Sequence, residues 1–312
     1  PRSTLFPYTT LFRSIIDSPL ERLPEDIGGC HNLRVVKLDC TAIRFLPEST
    51  GMLINLTELS ISEGILETLP SDLSGLYNLK EVILMDNKLQ KIPPSIGALQ
   101  NLEYLDLNHN EILSLPSELC NLTRLETLLL NNNPLKVLPD CFGELNSLLK
   151  LEISNNSIKN LPDSLRKLQN LQFLNVDNKL EEFPSCLKDL PLLHHLGLSN
   201  NPIKEIPYEA FEGFPGLKHL SLGHLGLKTL PESIQNLKTL EVIGLDQNNF
   251  STFPKILLKL PSLYTIHLQD NPLDLTNEEN LAAINALRGL GVNVILSRED
   301  FKKPRTKRHS NH

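Results

Sequence analysis

Leucine recurs along this chain in one phrase, L-x-x-L-x-L-x-x-N-x-L-x-x-L-P-x-x-I/L-x-x-L, about 23 residues long and repeated about eleven times. The phrase restarts at Leu33, Leu56, Leu79, Leu102, Leu125, Leu148, Leu171, Leu193, Leu217, Leu240 and Leu263. A fixed period of this length predicts a solenoid, in which each unit buries its apolar face against its neighbours. Within the phrase, L-x-x-L-x-L alternates as a short strand, leucines inward and the intervening residues outward. Strands of successive repeats then lie side by side in a parallel sheet. The predicted class is α/β: a curved, horseshoe-like solenoid with a parallel sheet on the concave side and short helical or irregular turns on the convex side.

Two further positions have physical readings. Asn87, Asn110, Asn133, Asn156, Asn178, Asn201, Asn248 and Asn271 follow the strand, where a buried amide can satisfy backbone groups of its own and the adjoining coil. The proline of L-P, as in Pro93, Pro116 and Pro139, fixes φ and is expected to open one turn of helix. Thr41, Gly64 and Leu225 replace the ladder Asn, so their turns must be satisfied otherwise. The repeat from Leu171 is one residue short between Val176 and Asn178, and that from Leu193 has one extra around Tyr208–Phe211.

The repeats are expected over 15–275. Residues 1–14 lie outside the pattern, and Thr4-Leu5-Phe6-Pro7-Tyr8-Thr9-Thr10-Leu11-Phe12-Arg13-Ser14 looks like a sequencing-library adapter translated in frame, so it is read as a disordered artefact. A native lead-in is the alternative. On the artefact reading, the true N-terminus, with any signal peptide, cap or upstream domain it carries, lies outside this sequence. Over 276–301, Thr276-Asn277-Glu278-Glu279 is a capping-box pattern, followed by Leu281, Ile284 and Leu287 at helical spacing and by Gly289 and Gly291. Val292, Val294 and Leu296 alternate as a closing strand, so this helix and strand are expected to cap the stack. Residues 302–312 read as a disordered tail, with five positive charges between Lys302 and Arg308. The tail admits three readings: a solvated end, a nuclear-import-like segment, or a contact for acidic lipid or a partner.

The net charge is −7, and without the tail's five positive charges the rest stands at −12. An acidic body argues against nucleic-acid binding by the solenoid. No apolar stretch approaches the roughly 18 residues of a membrane span. Cys30, Cys40, Cys120, Cys141 and Cys186 are odd in number and scattered, which favours reduced thiols and a cytoplasmic location. Sequons at Asn55, Asn121, Asn155 and Asn249 point instead toward secretion.

No nucleophile elbow, zinc-protease motif, phosphate loop or dinucleotide turn occurs. An enzyme is not expected, and no catalytic, cofactor or metal residues are assigned. The expected function is protein binding on the concave face. Its outward positions include Lys37, Glu58, Glu81, Asp106 and Lys150, with Ile83, Met85, Tyr104, Leu129 and Phe173 among them. Ile83, Tyr104 and Leu129 fall on neighbouring strands, so apolar anchors ringed by charge form a candidate patch; scattered exposed hydrophobes are the plain alternative. In the C-terminal half His195, His219 and His267 lie on strands, with His195 beside His219, and Gly197, Gly223 and Gly244 are expected to leave a shallow dip. These imidazoles admit ordinary polar recognition, a pH-sensitive contact or, without thiol or carboxylate to complete it, a metal.

The phrase with L-P-x-x-I/L-x-x-L, as in Leu115-Pro116-Ser117-Glu118-Leu119 and Leu230-Pro231-Glu232-Ser233-Ile234, resembles leucine-rich repeat proteins of the intracellular Ras group. These are scaffolds of the Ras-binding and Ras-suppressor type, with relatives in Erbin, Scribble and plants. The resemblance implies a non-enzymatic scaffold, here taken as monomeric, whose partner is a small GTPase, a phosphatase subunit or a polarity protein. Asp39-Cys40-Thr41-Ala42-Ile43 through Leu46-Pro47-Glu48-Ser49 also looks like the repeats of plant nucleotide-binding immune receptors. The alternatives are therefore the sensor part of a larger immune receptor or kinase, and an extracellular recognition domain.

Overall fold

The computed structural model describes residues 12–297; residues 1–11 and the tail 302–312 lie outside them. The chain forms two compact units, 1–171 and 172–312. The first contains seven three-residue strands: β1 (Phe12–Ser14), β2 (Val35–Lys37), β3 (Glu58–Ser60), β4 (Glu81–Ile83), β5 (Tyr104–Asp106), β6 (Thr127–Leu129) and β7 (Lys150–Glu152). Each pairs with the next in parallel, and the register places equivalent positions of successive repeats opposite each other, Leu105 against Leu128 and Leu128 against Leu151. That column is fully buried because each leucine of the alternation points away from the open face and stacks on its counterpart one coil on. The sequence reading set residues 12–14 outside the repeats, yet they supply β1, and Ile15 N–H continues the pairing to the Lys37 carbonyl at 2.8 Å.

On the opposite side run short 3-10 helices, among them Glu48–Met52, Pro94–Ala98, Ser117–Asn121, Phe142–Glu144 and Asp163–Lys167. Where an L-P proline immediately precedes such a helix, as it does for all of these but Phe142–Glu144, it does not open the turn from within. It stands at the N-cap in extended backbone, φ −70° and ψ 147° at Pro116, and its carbonyl accepts the first helical N–H, from Leu119. Proline is suited to that place because its fixed φ also serves an extended residue.

The Asn ladder ties each coil to the preceding one through both ends of the amide. Asn133 Oδ1 accepts from Ile112 N–H of the preceding coil at 3.1 Å, while its Nδ2 donates to the carbonyls of Leu107, Leu130 and Asn131 at 2.9, 3.1 and 3.3 Å. Where the Asn is replaced the coil still donates to the next one, Leu66 N–H to Asn87 Oδ1 just as Leu89 N–H does to Asn110 Oδ1, and Thr41 Oγ1 donates to the Leu38 carbonyl of its own coil. Immediately before each ladder position of this unit one non-glycine residue sits at positive φ: Asp17, Cys40, Glu63, Asp86, His109, Asn132 and Asn155.

The second unit contains β8 (Phe173–Asn175), β9 (His195–Gly197), β10 (His219–Ser221), β11 (Val242–Gly244), β12 (Thr265–His267), α1 (Glu278–Gly289) and β13 (Asn293–Ile295), its strands again parallel and in sequence order. Here Asn200, His224, Gln247 and Asp270 take the positive φ. The repeat from Leu171 has no such residue, so its missing position is the left-handed one. Leu225 N–H, in place of a ladder Asn, donates to Asn248 Oδ1. The longer repeat turns through residues 208–213 without a 3-10 helix among the described residues, burying Ala210, Phe211 and Phe214.

The capping helix starts one residue later than its box suggested. Asn277, not Thr276, is the N-cap, its Oδ1 accepting from Glu279 and Asn280 N–H. Ile284 and Leu287 are buried as the spacing required, but Leu281 is 40% exposed and Asn280 takes the inward position. Asn280 is accommodated there because Oδ1 accepts from Phe253 N–H and Nδ2 donates to the Asp274 carbonyl.

Candidate functional site

The open face of unit 1 carries two outward columns. The first strand position presents Val35, Glu58, Glu81, Tyr104, Thr127 and Lys150; the third presents Lys37, Ser60, Ile83, Asp106, Leu129 and Glu152. Met85 follows two residues after Ile83 and is half-buried. Most of the basic charge in these columns is engaged. Lys37 pairs with Glu58, which also holds its ammonium above the ordinary lysine range, chiefly through that hydrogen bond. Lys150 pairs with Glu152 at 2.7 Å, and Lys80, just before β4, with Glu103 at 3.2 Å.

The apolar patch read from sequence is divided. Ile83 and Leu129 both lie opposite Asp106, so the carboxylate stands between them, with Tyr104 diagonal to each. Leu129 is 8% exposed and so forms floor, not a protruding anchor. It lies opposite Asp106 and Glu152 on the adjoining strands, and the leucine pattern reports direction but not such flanking. Tyr104 and Ile83 remain half-exposed.

Asp106 is 5% exposed and its side chain accepts one hydrogen bond among the described residues, from Asn108 N–H at 2.9 Å. Burial pushes its carboxyl above the ordinary aspartate value of 3.8, opposed by the Asn108 hydrogen bond and reinforced by Asp86 and Glu152. Tyr104 is shifted upward too, first by burial, then by Asp106, Glu81 and Glu152. A raised carboxyl pKa means that the folded chain holds this proton more tightly than the unfolded one. Its contribution to stability is therefore complete below about pH 3.8 and is lost as pH rises through the folded value. Asp106→Asn, which keeps an oxygen for Asn108, is expected to raise the melting temperature at pH 7 and to change it little at pH 3. Calorimetry at the two pH values checks this; an equal effect at both would refute the charge argument.

Sequence reading missed a second polar ladder beside this patch. Asp39 Oδ1 accepts from Ser62 N–H at 2.9 Å and from the Ser60 and Ser62 hydroxyls, both at 2.7 Å. Asn108 Oδ1 accepts from Asn131 N–H, and Asn131 Oδ1 in turn from Ser154 N–H, each at 2.7 Å. Its signal was the recurrence of Asp, Ser or Asn two residues past the strand. Glu152, which accepts from Asn131 Nδ2 at 2.6 Å, was likewise not singled out.

In unit 2 the first column presents Phe173, His195, His219, Val242 and Thr265. Phe173 stacks on His195 with ring centroids 4.1 Å apart and planes 7° from parallel, and His195 lies 5.8 Å from His219. The expected adjacency of the two histidines is thus accompanied by an aromatic neighbour. His267, at the third position of β12, is held below the ordinary histidine range by burial, against the opposing field of Asp246. The shallow dip is largely filled. A Cβ on Gly197 would stand 2.1 Å from Asn175 Oδ1, and one on Gly223 2.9 Å from Asp246 Oδ1, so neighbouring polar side chains occupy the space glycine releases.

On the turn side, Cys120 and Cys141 form a disulfide with Cα atoms 5.9 Å apart. This corrects the expectation of reduced thiols at those two positions: they stand 21 residues apart and so meet across adjacent coils, a proximity that linear scatter conceals. Among the described residues no helix is long and apolar enough to cross a membrane, and no group of three or more His, Cys, Asp or Glu is placed to hold a metal.

Comparison with known proteins agrees with this architecture. A family model of a leucine-rich repeat region matches residues 70–153, and a second leucine-rich repeat model matches residues 191–250. A solved leucine-rich repeat protein of Leptospira interrogans is 29% identical, with 88% of this chain and 81% of that one covered and a TM-score of 0.59. An internalin of Listeria monocytogenes shares the fold at 21% identity and a TM-score of 0.78, over 92% of this chain and 81% of its own. The leucine-rich repeat ectodomain of the Arabidopsis thaliana membrane receptor kinase GASSHO1/SCHENGEN3, solved with CASPARIAN STRIP INTEGRITY FACTOR 2, is 25% identical with a TM-score of 0.74; 89% of this chain matches 34% of that chain. Periodicity, parallel register, Asn ladder and these matches converge: the chain is a leucine-rich repeat protein.

Proposed function

We propose that this protein is a non-enzymatic scaffold of intracellular signalling that binds a protein partner on the open face of its strands. The observation that carries the reading is the half-exposed Tyr104 and Ile83 on paired strands, set among charged side chains on a rigid sheet. An aromatic and an aliphatic group flanked by charge suit a protein surface better than solvent. The resemblance to Ras-group repeats supports a small GTPase or phosphatase subunit as partner, a cytoplasmic location and a monomeric scaffold. Met85 would extend the apolar contact in unit 1, and Lys37, Glu58, Glu81 and Lys150 would form its polar surround. Phe173, His195, His219 and His267 would form a separate contact strip in unit 2.

The test is affinity capture with the full chain and with a Tyr104→Ala/Ile83→Ala variant, quantified by mass spectrometry. Leu129 is left intact because its burial would confound binding with stability. The variant is expected to melt within a few degrees of the parent and to lose its specific partner about tenfold or more. Capture that survives both changes at full strength would refute the reading.

A second reading, an extracellular recognition domain, has two supports: the Cys120–Cys141 disulfide and the likeness to the receptor-kinase ectodomain solved with CASPARIAN STRIP INTEGRITY FACTOR 2. Asn121, beside Cys120, is an exposed sequon residue. Fractionation of the tagged chain, with a glycosidase-sensitive mobility shift, separates the two readings.

A further inference from the structure

We propose that the outward quartet of β4 and β5, Glu81, Ile83, Tyr104 and Asp106, receives a cationic side chain, an arginine or lysine carried by an extended segment of the protein partner. This rests on the reading that the open face binds protein, and it specifies the chemistry of what arrives. Glu81 lies opposite Tyr104 and Ile83 opposite Asp106. The two carboxylates therefore occupy one diagonal and the aromatic ring and isoleucine the other. Adjacent strands are about 4.8 Å apart and alternate residues about 6.7 Å apart. That spacing lets one guanidinium lie against the phenol ring while its donors reach a carboxylate on either side.

Charge complementarity decides the sign of the occupant. The nearby cations already have partners, Lys37 with Glu58, Lys80 with Glu103 and Lys150 with Glu152. Asp106 and Glu81 enter no ion pair among the described residues. Asp106 is nearly inaccessible and holds a single hydrogen bond, from a neutral N–H. A buried carboxylate so placed costs stability until a cation approaches. Asp86 and Glu152 deepen the same field, and the charge of −12 outside the tail attracts a basic partner at long range. The equivalent positions of β8 and β9 hold Phe173, Asn175, His195 and Gly197, with no carboxylate, so the feature belongs to β4 and β5.

Fluorescence anisotropy on the full chain at about 0.15 M salt tests this, using three labelled decapeptides of one Gly/Ser/Ala sequence that carry two arginines, two citrullines or two glutamates. The arginine peptide is expected to bind about tenfold or more tightly than the citrulline peptide. Tyr104→Ala and Asp106→Asn should each weaken it about fivefold or more, and Glu118→Gln on the turn side should not. Equal binding of arginine and citrulline peptides overturns the proposal. So does an equal effect of Glu118→Gln, which would signify bulk attraction, or no binding up to about 1 mM. Tyr104-dependent binding of the glutamate peptide would overturn it while leaving the open face as a protein-binding surface. If arginine binding appears only after residues 302–312 are removed, the occupant is the chain's own basic tail and the partner assignment falls.

Discussion

Leu128→Asp is expected to unfold the coils around β6. Leu128 is fully buried between Leu105 and Leu151, which are buried as completely. The change removes the packing of a core leucine, worth about 2–5 kcal/mol. It also inserts a carboxylate with no cation in reach, worth several kcal/mol more. Together these approach the whole stability of a typical domain, about 5–15 kcal/mol. In a solenoid each coil is stabilised by the one on either side, so a lesion in the middle of a unit also withdraws support from both neighbours. Leu128→Met, close in volume, should cost less than about 1.5 kcal/mol. Urea denaturation followed by circular dichroism separates the cases, and a Leu128→Asp protein that keeps its parent midpoint would show that the column is not continuous.

Asn133→Ala should cost about 3–5 kcal/mol, far above the usual effect of losing one polar side chain. The amide joins one N–H and three carbonyls, from its own coil and the preceding one. Alanine leaves Ile112 N–H and the Leu107 and Leu130 carbonyls facing an apolar gap, at about 1–3 kcal/mol for each group left unpaired. Leucine is no remedy, since filling the space does not supply the donors. The exposed Asn160 is the control, and its replacement by Ala should move the melting temperature by about a degree or less. If both substitutions cost the same, the ladder carries no special share of stability.

The period made the direction of nearly every side chain legible. Leu105, Leu128 and Leu151 had to face inward and Glu81, Tyr104 and Lys150 outward, because a strand alternates and its neighbours repeat it in register. What it could not report was how much room an outward residue finds. Asp106 and Leu129 are outward and yet buried, and Gly197 is small and yet opens no hollow, because the answer depends on which neighbour leans across. Cys120 and Cys141 illustrate the same limit from the turn side: their meeting follows from the stacking of coils, not from spacing within one. Asn277 shows it at the smallest scale, where two adjacent residues could each have capped the helix and geometry chose the second.

The residues at positive φ carry a consequence for what the rim of the sheet can be made of. Among the described residues eleven coils place an L-residue in that conformation, and the occupants are Asp, Cys, Glu, His, Asn and Gln, with no β-branched or aliphatic side chain. A branched Cβ would collide with its own backbone there, so the position disfavours valine, isoleucine and threonine on steric grounds, and polar side chains occupy most of it. Among the described residues the margin of the sheet is thereby lined mostly by polar side chains. Greasy contact with a ligand then falls to the strand residues and to Met85 just beyond β4, while variation along the margin retunes hydration and charge.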